Sequence, residues 1–101
     1  NLSVTDVSVS CNKRGMAVVT VTIANATADT IDDIWVTAAS LNGAPAPEKL
    51  PVMISNNLKP GATKSCNLRF DDVTPGTTAI FTMDGTCSLG AFSITRTVNI
   101  P

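Results

Sequence analysis

The sequence predicts an all-β chain folded as an antiparallel sandwich of about seven strands. Three observations carry that reading. Apolar and polar residues alternate along most of the chain, as in "AVVTVTI" and "TKSCNLRF", the pattern of strands with one buried and one wet face. Turn signals such as Asn42-Gly43, Pro60-Gly61 and Pro75-Gly76 recur at spacings of roughly 8 to 12 residues. No segment sustains a helical period.

The 101 residues amount to one domain, long enough for a single core that buries roughly 60 to 70% of the unfolded surface. The apolar share of 44% argues against disorder. Net charge is −1, with the lysines and arginines scattered, so the basic stripe that phosphate backbones require is missing and nucleic acid is excluded as a partner. No apolar run approaches the roughly 20 residues of a membrane-spanning helix, so membrane insertion is not expected. The chain opens at Asn1 without a methionine and stops at Ile100-Pro101, which reads as a mature or trimmed segment of something longer. Seven aspartates stand against the single Glu48, and threonine is abundant. Strand surfaces are built this way, and helix surfaces are not.

The elements follow in order. "NLSVTDVSVSC" places Leu2 and Val4 on one face and Val7 and Val9 on the other parity, so a bulge or a change of sheet is expected at Thr5-Asp6. Asn12 to Gly15 is a polar turn. Ala17, Val19, Val21 and Ile23 share one face of a central second strand. "NATADT" is a loop before a third strand over 31–41, which ends at the Asn42-Gly43 turn. "APAPEKLP" is a connection or an edge, since proline has no amide donor for a ladder. Leu50, Val52 and Ile54 alternate behind it. Pro60-Gly61 reverses the chain, proline fixing φ and glycine supplying positive φ. Ala62, Lys64, Cys66, Leu68 and Phe70 then share a face. Pro75-Gly76 launches a strand from Thr77 to Met83, with a turn expected between Asp84 and Gly90. Phe92, Ile94, Val98 and Ile100 close the chain on one face.

Four segments taken together, "LSVTDVSVS", "AVVTVTIANATADTIDDI", "LKPGATKSCNLRF" and "TPGTTAIFTMDG", resemble the bacterial immunoglobulin-like modules of the CARDB type, in the family's order and over most of the chain. The resemblance implies an immunoglobulin-like sandwich spanning residues 1–101, carried in tandem or attached to an exported protein. It supplies no site residues, because fold does not fix function. One departure is visible: where such modules often carry tyrosine after the second Pro-Gly-Thr, this chain has Thr78 and contains no tyrosine, so a tyrosine corner is absent.

There is no histidine, which removes Ser-His-Asp and Cys-His catalysis and every histidine-based metal site. The carboxylate pairs Asp32-Asp33 and Asp71-Asp72 are the remaining candidates for glycoside hydrolysis, but adjacent residues on a strand point to opposite faces and both pairs flank loops. No enzyme and no resident cofactor are expected. Asp29, Asp32 and Asp33 are candidate calcium ligands, with Asp71, Asp72 and Asp84 as further loop oxygens. None has the spacing of a dedicated calcium loop, and turn formation accounts for aspartate there as well.

Trp35 turns on parity. If Ile31, Trp35, Ala39 and Leu41 face inward, it is a core tryptophan. If Ile34, Val36 and Ala38 do, its indole lies on the open sheet as a candidate ligand-binding platform for sugar or peptide. Leu41 favours the first and Asp33 opposes it; the core is the expected place. Arg96 interrupts the apolar face of the last strand, either as an edge residue reaching for water or paired with Asp33. Cys66 and Cys87 share inward parity and form a disulfide candidate, with Cys11 left over; three inert thiols are an equal alternative. The sequons at Asn1 and Asn25 matter only in a eukaryotic secretory pathway.

The expected function is therefore a non-catalytic structural or adhesive module of a secreted or cell-surface protein, whose partners are neighbouring domains of the same chain or another protein. The alternative is a ligand-binding accessory module for carbohydrate or peptide.

Overall fold

The computed structural model describes residues 2–47 and 49–101. The described residues form eight strands and no helix. Strands β1 (Leu2–Cys11), β2 (Ala17–Asn25) and β6 (Thr63–Phe70) make one antiparallel sheet in the order β1-β2-β6. Strands β3 (Ile31–Leu41), β7 (Thr78–Cys87) and β8 (Gly90–Asn99) make the second. There β4 (Ala44–Pro45) and β5 (Val52–Leu58) share the outer side of β3. Hairpins join β1 to β2, β3 to β4 and β7 to β8, and the chain crosses between sheets before β3, β6 and β7. This connectivity is that of an immunoglobulin-like sandwich. The seven expected strands are present, and the eighth is the two-residue β4.

The local chemistry explains the turns. Asn42 and Gly43 have φ of 50° and 82°, the doubly positive pair that a two-residue hairpin needs and that Asn-Gly tolerates best. The expected slip in β1 is a bulge. Val4 pairs with Ile23 and Asp6 with Thr22, leaving Thr5 as the extra residue, and this brings Val7 and Val9 to the side that Val4 occupied before it.

The core lies between β2 and β6 on one side and β3 and β7 on the other. Val19, Val21, Ile23, Leu68 and Phe70 are buried, as are Ile31, Ile34, Val36, Phe81 and Met83. Phe70 and Phe81 meet edge to face across the sheets, with centroids 6.1 Å apart and an interplanar angle of 84°. At the flanks β5 lies over β6 and β1 over β8.

Three expectations are corrected. Strand β7 continues through Asp84 to Cys87, and the chain reverses only at Ser88-Leu89; Gly85 does not break it because it pairs with both Val36 and Phe92. Strand β5 runs on to Leu58, with Ile54 as an extra residue against β3. Strand β3 keeps no single parity. Ile31, Ile34, Val36, Ala39 and Leu41 are all buried, because parity changes at Asp33, whose φ of 52° is left-handed, and again at Thr37, where the register with β7 shifts between Val36 and Ala38. Each change flips the side chains beyond it, the first through the left-handed backbone and the second through a one-residue slip, and the second restores the first.

The sandwich measures 42 × 23 × 18 Å. At one pole Val73 N–H donates to Gly15 O at 2.8 Å and Gly76 N–H to Ile100 O at 2.9 Å, so the first turn, the 71–77 loop and the end of the chain lie together. Leu2, the 26–30 and 59–62 loops and the Ser88-Leu89 turn gather at the other.

Candidate functional site

Trp35 is not in the core. The changes of parity at Asp33 and Thr37 turn Ile34 and Val36 inward, which sends the intervening Trp35 to the outer face of the larger sheet, where it is half-buried. Its cross-strand partners are Met53 on β5 and Thr86 on β7, and Thr86 in turn faces Ala91 on β8. Met53 is 41% exposed. The result is one row of outward side chains holding a single large ring beside a single thioether. Phe70 and Phe81 are spent on the core, and Phe92 is half-buried on the inner side.

The candidate calcium ligands sit at the pole where β3 begins. Asp29, Asp32 and Asp33 are all exposed. The Asp29 carbonyl accepts from the Asn25 amide at 2.7 Å and the Thr27 hydroxyl at 2.8 Å. The Asp32 backbone pairs with Ser88 through N–H to Oγ and O to N–H contacts, each 2.9 Å. Their backbones thus organise the turn. Among the described residues no three carboxylate or thiol groups converge on a metal-sized site.

Cys66, Cys87 and Cys11 stand as thiols. Cys66 lies mid-strand on β6 opposite Val21, on the flank covered by β5. Cys87 is at the end of β7, opposite Gly90, and its Sγ donates to the Gly90 carbonyl at 3.5 Å. The shared inward parity does not bring them together, because β6 and β7 belong to different sheets and Cys87 sits at the pole. Arg96 does not reach Asp33 either. It pairs with Phe81, which pairs with Leu41 at the far end of β3, and its Nη1 donates to the Thr95 carbonyl at 3.3 Å.

Asn25 is the polar residue whose role sequence reasoning missed. It is buried to 1% exposure. Its Nδ2 donates to Leu58 O and Asp29 O, both at 2.7 Å, while Oδ1 accepts from Thr27 N–H and Oγ1 at 2.9 and 2.6 Å. Its own N–H bonds Ala62 O and its carbonyl accepts from Gly61 N–H. The signal was available: Asn25 falls in phase with the buried Ala17, Val19, Val21 and Ile23, and a polar group at an inward position must find partners. A glycan on Asn25 is incompatible with this arrangement. Asn1 of the other sequon lies outside the described residues.

Two further clefts bear on the surface. One of about 380 Å³ opens at the pole of the chain's end, floored by Leu41, Phe70 and Ile100 and rimmed by Asp71 and Asp72. The other, about 550 Å³, runs along the flank between β5 and β6; Ile54, Leu58 and Ala62 line it with Met53, Asn56, Asn57, Lys59 and Lys64.

Compared with known proteins, the chain matches no family profile and no curated sequence.

Proposed function

We propose that this chain is a non-catalytic structural or adhesive module of a secreted or cell-surface protein, of the kind its resemblance to CARDB-type modules implies. The observation that supports it most directly is the path of the chain. Strand β1 starts at one pole and β8 ends at the other, along a 42 Å axis, a layout that suits a lengthwise spacer. The described carboxylates are dispersed over both poles and the outer faces, and polar side chains of the smaller sheet's outer face engage one another: the Thr20 hydroxyl donates to the Asn67 amide oxygen at 2.8 Å, and the Thr22 and Ser65 hydroxyls meet at 3.0 Å. Such a surface fits a spacer better than a reaction centre.

The position of Trp35 favours a second reading, a ligand-binding accessory module, because an indole on an open sheet can stack on a sugar or a peptide side chain. Titration with a panel of soluble glycans, read by Trp35 emission, decides between them. Emission indifferent to every glycan upholds the structural reading; saturable quenching, with binding measured by calorimetry lost in Trp35→Thr, replaces it with the ligand-binding one.

A further inference from the structure

The β5–β6 flank differs from the rest of the surface in its charge. Carboxylates lie at both poles, on β1 and on the outer face of β7, yet among the described residues none lines the flank groove, which carries Lys59 and Lys64. Among the described residues neither lysine forms an ion pair; the salt bridge nearby joins Arg69 to Asp71 at 3.9 Å. The groove also has unused backbone. Among the described residues strand β6 pairs only with β2, and β5 only with β3, so on this side neither edge is paired with a further strand. The lining combines an apolar floor, Ile54 and Leu58 being 7% and 3% exposed, with the exposed amides of Asn56 and Asn57.

Lys64 is the informative residue. It alternates in phase with the buried Cys66, Leu68 and Phe70, so it points along the inward side of an edge strand. An inward charge at an edge blocks pairing with a neutral strand, which would have to bury it unpaired. Two copies of β6 paired edge to edge would bring cationic flanks together, and like charges repel. A strand bearing a carboxylate opposite Lys64 meets neither obstacle.

We infer that the β5–β6 groove is a docking site for an extended, acidic and amphipathic peptide segment, which adds to the open edge of β6 and sets a carboxylate against Lys64. Main-chain bonds to the edge hold the segment, and alternate side chains select it, apolar ones toward Ile54 and Leu58 and an acidic one toward Lys64 and Lys59. The inference rests on the adhesive form of the proposed function and names its partner class.

The test is a charge swap. One synthetic peptide as long as β6 carries valine along its inward face, threonine on its outward face and glutamate at the position meeting Lys64; its match carries lysine there. Binding is read by hydrogen exchange of the β6 amides and by titration at two salt concentrations. The glutamate peptide is expected to slow exchange along β6 and to bind at least roughly tenfold more tightly than its match, with affinity falling as salt rises. Lys64→Glu, an exposed substitution, reverses the preference. The proposal is overturned if the glutamate peptide leaves β6 exchange unchanged, if both peptides bind alike, or if Lys64→Glu changes nothing. A polyuronate that binds while the peptide does not assigns the flank to an acidic glycan instead and also overturns it. Failure on any of these counts leaves the Trp35 glycan titration, which tests the broader reading, untouched.

Discussion

Asn25 and Leu58 are 33 residues apart and are joined by a 2.7 Å hydrogen bond from the side-chain amide of the first to the carbonyl of the second. The same amide holds Asp29 O, so one buried side chain fixes the β2–β3 loop to the end of β5. Asn25→Ala leaves both carbonyls without that donor. An unmet buried group costs roughly 1–3 kcal/mol, and a loss of about 3 kcal/mol is expected in urea unfolding. A loss below about 1 kcal/mol would show that water replaces the amide without penalty.

Asn25→Asp makes a pH-dependent version of the same defect. A buried carboxyl facing two carbonyls can donate only while protonated, so its folded pKa is raised above the unfolded value of about 3.9. With the folded pKa raised, the variant is most stable below the unfolded value and loses stability as pH rises through the folded one. Unfolding midpoints measured from acid to neutral pH should fall steadily relative to those of the parent; a parallel pair of curves would refute the argument.

Gly85 accepts no side chain. A methyl group there would collide with the Trp35 carbonyl and the Phe92 ring. Gly85→Ala is expected to destabilise by about 1–3 kcal/mol, the usual range for overpacking. Adding Phe92→Leu should recover part of the loss, since the ring can be removed and the carbonyl cannot. Full recovery would mean that the backbone contact is harmless.

The slips in β3 are tested by two adjacent residues. Ile34 faces the core and Trp35 faces out, so Ile34→Ala should cost about 2–5 kcal/mol and Trp35→Thr about 1 kcal/mol. The opposite order would return Trp35 to the interior.

Thiol accessibility separates the cysteines. Cys11 and Cys87 are half-exposed and Cys66 is buried. A thiol reagent should label the first two in the native protein and the third only after unfolding, and intact mass should not change on adding reductant. Two mass units gained on reduction would reveal a disulfide.

Much of the fold is legible in the residues. The β1 bulge shows as a break in the alternation at Thr5-Asp6, and the faces of β2 and of β6 from Cys66 to Phe70 are as the alternation predicts, because those strands keep regular pairing with β1 and with each other. Trp35 could not be placed this way. Its direction depends on the left-handed backbone at Asp33 and on Thr37 being an extra residue against β7, and the second of these is set by pairing with a strand tens of residues away in the chain. Asn25 was half legible, its inward phase being visible but its partners at Asp29 and Leu58 being a matter of which loops meet.

The sequence by itself determined the class of the protein: two antiparallel layers with one dry interior, fixed by the alternation of Val, Ile, Leu and Phe with Thr, Ser and Asn and by turns that glycine, proline and asparagine make cheaply. Only the tertiary structure decided which face Trp35 occupies, which thiols stay apart, and that Lys59 and Lys64 share a flank on which no described residue is a carboxylate. Alternation is a local property of one strand, written in its own residues. Register and the meeting of edges depend on how strands far apart in the chain pair and pack, which no stretch of sequence records alone.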